Sequence, residues 1–270
     1  MKRYTVLDKK VGETPLQCLE KHRIENPTLY GVSMAYAGRL DPMASGKLLV
    51  LIGDECKVQE KYHNLDKEYE FEVLFGVSSD TGDVLGLLTT CEVSCIEKWT
   101  LTQTIQKFIG DIQLPYPHFS SKTVKGKPLH VWKLEGKIDT VEIPTKLSTI
   151  FNLKLIELKK VTAQEAYVYA TQKIETISKV TETSKALGND FRRSDIRLSW
   201  KKFINEDKSE QELYVAKFAC IASSGTYMRT LAEMIAKELN TCGLAYSIHR
   251  TKIGKYKRIF PGFGFWTKMF

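Results

Sequence analysis

An α+β fold with a mixed, largely antiparallel central sheet is what this sequence predicts, on three observations. Strand-like and helix-like segments are interspersed without the regular alternation of a parallel βαβ array. Tyr69, Phe71, Val73 and Phe75 recur at period two opposite Glu70 and Glu72, which describes a half-buried strand. Leu231, Met234, Ile235 and Leu239 recur at the spacing of one helix face.

Taken in order, Leu48 to Ile52 is a short apolar run closed by Gly53 and reads as a buried strand. A second strand begins at Tyr69, and Trp99 to Ile109 reads as a helix. Leu153 to Leu158 is a further strand candidate. The segment from about 163 to 196 opens with the helix-favouring run AQEAYVYATQKIETISKV and later carries the basic Phe191-Arg192-Arg193. Leu213 to Ala222 reads as a strand running straight into Ser223, Ser224 and Gly225. The helix over Tyr227 to Leu239 follows, which places Tyr227 and Arg229 at a strand-to-helix junction. Phe260, Phe263, Phe265 and Trp266, near the end of the sequence, are expected to pack back on the body.

The 270 residues, 43% of them hydrophobic, suffice for a sizeable core. The formal charge of +8 favours a polyanionic partner over an acidic protein surface. The six cysteines form no C-x-x-C, and Cys91 with Cys95 lacks a second pair at zinc-like spacing, so reduced thiols in a cytosolic protein and no bound metal are expected. The amino-terminal MKRYTVLDKK has no apolar core of a signal peptide, and no run approaches the length of a membrane span. Lys122, Lys125, Lys127, Lys133 and Lys137 are interleaved with Gly126, His130 and Trp132. Such a run is either a solvated face or a groove for RNA phosphates.

The chemistry concentrates at Ala35 to Lys57, AYAGRLDPMASGKLLVLIGDECK, where Asp41 is wedged between Leu40 and Pro42. Gly38, Ala44, Ser45 and Gly46 leave little bulk beside the acid, and Pro42 fixes φ, so the loop can hold one carboxylate in one orientation. An isolated L-D-P is ordinarily a turn aspartate. This string, however, resembles the G-H-x-G-x-L-D-P-x-A-x-G-x-L segment of the TruB family of tRNA pseudouridine-55 synthases at all but its first two fixed positions. The resemblance continues in five further ordered blocks. Thr5 to Gly12 resembles the L-x-K-P-x-G opening, and Lys67 to Gly82 resembles a K-x-Y strand followed by G-x-x-T-D-T-x-D. Phe119 to Gly136 is similar to Y-S-A-x-K-x-x-G-x-x-x-Y-x-x-A-R-x-G, Ser224 to Thr230 (SGTYMRT) to G-T-Y-I-R-T, and His249 to Tyr256 to R-R-T-x-x-G-x-F.

The resemblance implies the fold anticipated above and an activity: isomerisation of uridine to pseudouridine in RNA, without a cofactor. Asp41 is implied as the nucleophile, and attack at the ribose anomeric carbon or at the base both remain open. Arg229 is the implied partner that would hold the carboxylate bidentately. Tyr69 is implied as the active-site tyrosine, and with an ordinary pKa of ~10 it suits hydrogen bonding better than service as an ionised base. Tyr227 and Ile248 are implied as pocket walls; Lys9, Lys122, Lys125 and Lys127 fall in segments expected to meet the RNA. The target must be flipped out of its loop to reach such a pocket.

Four departures bear on docking: Tyr36 stands in place of the histidine of G-H-x-G, Ala35 of its glycine, His249 of the first arginine of R-R-T, and Lys10 of the early proline. Tyr36 keeps an aromatic for stacking and loses an imidazole hydrogen bond. The 163–196 segment is longer than the family's usual connection and is read as an insertion. The stretch after Gly254 is too short for the PUA domain that often follows the catalytic domain. The expectation is therefore one catalytic domain over 1–270 without a PUA domain, a monomer acting on the T-loop uridine of tRNA with no obligate protein partner. Messenger or ribosomal RNA, or a non-catalytic RNA-folding role, are the alternatives.

Overall fold

The computed structural model describes residues 3–177, 192–204 and 209–270. The first half contains β1 (Tyr4–Lys9), α1 (Pro15–Glu25), β2 (Met34–Ala37), β3 (Ser45–Ile52), β4 (Asp66–Phe75), β5 (Val77–Ser79), β6 (Leu88–Thr90), α2 (Lys98–Gln106) and β7 (Gly110–Pro115). A small hairpin of β8 (Thr123–Val124) and β9 (Lys127–Pro128) leads into α3 (Leu129–Leu134). The second half holds β10 (Thr145–Thr162), α4 (Ala163–Thr176), α5 (Arg193–Ile204), β11 (Glu212–Ala222), α6 (Met228–Glu238), β12 (Gly243–Phe260) and β13 (Phe263–Met269).

Seven strands run across one sheet in the order β1-β3-β12-β4-β11-β10-β7, with β2 added on β3 and β13 on β12. All its pairings are antiparallel except β3 with β12, which touch in parallel only at His249–Ser45 and Arg250–Gly46. The mixed, largely antiparallel sheet expected from the sequence is thus present. Its centre is β4, flanked by β12 and β11. The period-two residues Phe71, Val73 and Phe75 are fully buried, while Glu70 and Glu72 stay partly exposed. Phe71 stacks on Phe218 of β11 at 5.2 Å, and Trp200 of α5, also fully buried, donates its indole N–H to Val84 O. Burying such side chains contributes about 1.5–3 kcal/mol each, which is where this sheet acquires its rigidity.

The helix expected over Tyr227 to Leu239 is α6, with Leu231 and Ile235 buried against β12 and β4. The run after Ala163 forms α4, entered through a capping box in which Thr162 accepts from the Glu165 N–H and Glu165 accepts from the Thr162 N–H. Phe191 of the basic triplet lies outside the described residues.

Two expectations are corrected. Cys91 and Cys242 are joined as a disulfide rather than left as free thiols. Gly76 donates its N–H to Cys242 O and accepts from the Cys91 N–H, so the turn after β4 draws together residues 151 positions apart. Cys18, Cys56, Cys95 and Cys220 are free. Near the end of the sequence, Trp266 packs edge-on against Tyr256 at 5.3 Å, but Phe260, Phe263 and Phe265 do not pack back on the body. β12 outruns the sheet there, and β13 returns along it as a hairpin with one face outward.

Candidate active site

The Asp41 loop is held from three sides. Leu40, Met43 and Ala44 sink into the main core, and Gly12 N–H donates to Pro42 O at 2.8 Å. Arg250, only 1% exposed, reaches from β12 and donates Nε to Lys47 O at 2.7 Å, with its terminal nitrogens directed at Arg39 O and Gly38 O at 3.2 and 3.4 Å. Gly46 makes this approach possible. Its φ is +105°, and a Cβ there would stand 2.2 Å from Arg250 O. Gly46→Ala is therefore expected to cost about 2–5 kcal/mol through strain and steric overlap together. A lowered urea midpoint at unchanged slope is the measurement that checks it.

Asp41 presents its partly exposed carboxylate to Arg229, which lies on the first turn of α6 and is 4% exposed. Arg229 Nε is 2.9 Å from Asp41 Oδ2 and 3.8 Å from Asp83 Oδ2. The expected bidentate grip on Asp41 is not formed. The two terminal nitrogens are taken by backbone carbonyls, Nη1 donating to Thr81 O at 2.7 Å and Nη2 to Phe119 O at 3.2 Å, so only Nε faces the carboxylate. Nε makes the ion pair without an aligned hydrogen bond. Burial works against the charge on Arg229, but Asp41 and then Asp83 outweigh it and raise its pKa. At Asp83 burial pushes the carboxyl pKa up and Asp41 adds to it, while Arg229, the Thr81 hydroxyl at 2.7 Å and the Leu85 N–H at 2.9 Å pull the other way.

Around this chain of charges lies a cavity of about 780 Å³, lined among others by Asp41, Tyr69, Tyr227, Arg229, Ile248 and Arg250. That volume falls in the range of ligand pockets of roughly 300–1,000 Å³. Tyr69 sits on β4 beside Arg250, and burial raises its hydroxyl pKa, which keeps it a neutral hydrogen-bonding group. Tyr227 precedes α6, packs edge-on to Tyr116 at 5.8 Å, and has its pKa raised by burial and then by Asp41. Lys67, the lysine of K-x-Y, is buried with its amine directed at Ser224 Oγ (3.0 Å) and Leu65 O; burial, helped by Arg250, brings it down to about 7. Ile174, Ile177, Arg192, Arg193 and Ile196 also line the cavity, so described residues on both α4 and α5 form part of its wall. Arg192 forks onto Asp80 at 2.6 and 3.3 Å and lies 4.6 Å above the Phe119 ring.

The remaining expected residues are placed elsewhere. Tyr36 lines a neighbouring hollow that shares Leu16, Gly38 and Arg39 with the main cavity. Lys9 is fully buried, donating to Lys10 O and Glu13 O at 2.9 and 2.7 Å, and burial brings its pKa down to about 8. It shapes the loop behind Asp41 and is not presented to a ligand, because its amine is spent on backbone. Lys122 and Lys125 are exposed on the β8–β9 hairpin, whereas Lys127 pairs with Glu135 at 2.7 Å and lies over the Trp132 ring. The sequence reading passed over Asp83, Lys67 and Arg250. Lys67 and Arg250 stand inside quoted motifs, and Asp83 is the last position of G-x-x-T-D-T-x-D counted from Gly76, so membership of a motif was the available signal.

A family model described as TruB family pseudouridylate synthase (N terminal domain) matches residues 29–185. A tRNA pseudouridine synthase B of Caldicellulosiruptor saccharolyticus is 28% identical over 251 residues, covering 93% of this chain and 67% of the relative. The tRNA pseudouridine synthase 4 of Saccharomyces cerevisiae is 30% identical over 236 residues, covering 78% of this chain and 58% of the relative, so the chain spans roughly three fifths of these proteins. Among solved structures, a chain of a Cbf5-Nop10-Gar1 complex superposes with a TM-score of 0.52 at 14% identity over 92% of this chain and 48% of its own, a likeness of fold. With a match over more than half its length, this chain belongs to the TruB family of pseudouridylate synthases.

Proposed function

We propose that this chain converts uridine to pseudouridine in RNA, with the T-arm of tRNA as substrate and position 55 as the target. The observation that carries the reading is Asp41, a partly exposed carboxylate at the wall of a nucleotide-sized cavity, paired to the buried Arg229. The reaction is an isomerisation: the bond from the ribose anomeric carbon to N1 breaks, the base turns, a bond to C5 forms, the C5 proton leaves and N1 takes one up. No electron is gained or lost and nothing is transferred to a second substrate. Asp41 supplies the nucleophile, at the sugar or at the base. Arg229 holds its charge in place through Nε while Thr81 O and Phe119 O hold Arg229. Tyr69, neutral in its buried site, offers a face to the turned base and a hydroxyl to its polar edge. Tyr227 and Ile248 bound the base on its other sides.

Docking is assigned to Tyr36, stacking beside the flipped loop, and to the β8–β9 hairpin. Flipping costs stacking energy that such contacts must offset. Lys122→Gln with Lys125→Gln is expected to lessen the slope of log affinity against log salt by about 1.4–1.8, one phosphate per lysine. Lys127→Gln should change it less because its charge already meets Glu135. A salt titration of RNA binding reads both. We further propose that 1–270 act as one catalytic unit with residues 163–196 as its insertion, as a monomer in the cytoplasm where its substrate resides. No described helix is long and apolar enough to cross a membrane.

The test of the activity is pseudouridine mapping of total RNA from cells with and without the protein, followed by reaction of the purified protein with an unmodified tRNA transcript. A signal at position 55 that depends on the protein supports the reading. Signal confined to another RNA replaces the substrate, and binding without conversion replaces the enzyme with an RNA-folding module.

A further inference from the structure

From Lys252 to Phe270 the chain carries Lys252, Lys255, Lys257, Arg258 and Lys268, six aromatic residues and not one Asp or Glu. The β12–β13 hairpin sorts these groups onto two faces. Partners across an antiparallel ladder share a face. Tyr256 opposite Trp266 turns inward, with Tyr256 5.3 Å from Phe151 of β10. Lys257 opposite Phe265, and Phe260 opposite Phe263, form the other face. Phe260, Phe263 and Phe265 are 56%, 52% and 49% exposed, and the first two stack on each other at 4.9 Å and 16°. The display is held firmly: Asn152 Nδ2 donates to Gly262 O at 2.6 Å, tying the tip of the hairpin to β10. Gly264 lets the strands close, since a Cβ there would stand 2.3 Å from Lys257 O.

We propose that this outward face is a second RNA-docking surface, on which unpaired nucleotides stack on Phe260, Phe263 and Phe265 while Lys255 and Lys257 meet their phosphates. Large exposed aromatic groups on a pinned scaffold need an occupant. The interleaved positive charge selects a nucleic acid over an apolar protein, because every base has a π-face and every nucleotide an anion. A second copy of this chain fits poorly, since a two-fold contact through this face would set Lys255 and Lys257 against their own like charges. The surface is also separate from the pocket. Ile248 lines the cavity, whereas Phe260, Phe263 and Phe265, twelve and more positions further along the chain, are not among its lining residues. It would therefore grip a single-stranded flank of the same RNA whose loop enters the pocket. The inference rests on the RNA reading of the pocket but has a separate readout.

The experiment compares stem-loops of graded stem length, each blunt or with a short single-stranded extension, by fluorescence anisotropy against the wild type and the Phe263→Ala/Phe265→Ala protein. Both substituted side chains are exposed, so the fold should persist, which thermal melting checks. At one stem length the extension should tighten wild-type binding at least about fivefold, the effect of one stacked base. The double variant should lose that gain while converting the saturating blunt stem-loop at the wild-type rate. 4-Thiouridine in the extension should crosslink to the peptide containing Phe263 and Phe265. No gain at any stem length, an equal gain in the variant, or crosslinks elsewhere would overturn the proposal. So would a variant that alters self-association of the free protein but leaves RNA binding unchanged. If the wild type gains affinity from the extension yet forms no pseudouridine, the pocket reading fails and the docking surface stands; the reverse outcome separates them the other way.

Discussion

Asp41→Asn is expected to fold, bind the RNA and form no detectable pseudouridine, a loss on the order of 10⁴-fold or more in single-turnover rate. The amide has the shape of the carboxylate and lacks its nucleophilic charge. The surroundings should tolerate the change because Arg229 is not anchored by Asp41 alone: Thr81 O, Phe119 O and Asp83 remain. A urea midpoint close to wild type together with a blank pseudouridine map is the expected pair of results. Substantial turnover by this variant would remove Asp41 from its role.

Arg229→Lys should be damaging in two measurements at once. A lysine keeps the charge, but one ammonium cannot reach Asp41, Thr81 O and Phe119 O together as the planar guanidinium does. Leaving buried carbonyls unpaired costs about 1–3 kcal/mol, and loosening a buried ion pair adds to that. Stability should fall by about 2–4 kcal/mol in urea, and the saturating rate by about 10²–10³-fold because Asp41 is no longer held. Wild-type kinetics in the lysine variant would show that the guanidinium fork has no part in positioning the acid.

These outcomes mark how far the sequence was legible. The strands with clean alternation and the helix over Tyr227 to Leu239 could be placed because burial on one face leaves a periodic trace. Asp41 and Arg229, 188 positions apart in the numbering, share no local signal; the motif resemblance alone joined them. The monodentate geometry was hidden because it depends on two backbone carbonyls, which any residue at 81 or 119 would supply. The Cys91–Cys242 bond was hidden for a similar reason, since the turn after β4 that brings its ends together has no mark in cysteine spacing. Lys9 was misread because a motif lysine suggests an exposed charge, and its amine is absorbed by two carbonyls. At the carboxyl-terminal hairpin the alternation of Phe263 and Phe265 against Trp266 was visible, but apolar identity was taken for burial.

The grip of Arg250 on the Asp41 loop has a consequence for how the loop can vary in natural sequences. It addresses main-chain oxygens at positions 38, 39 and 47, which carry no information about side-chain identity. The exposed side chains of Arg39 and Lys47 are therefore free to drift toward whatever RNA the chain meets, without moving the acid. Constraint concentrates at the two ends of the clasp, Arg250 and Gly46. Recognition and catalysis can then evolve at different rates along the ten residues from Gly38 to Lys47, with the acid's position inherited from a strand more than 190 positions away.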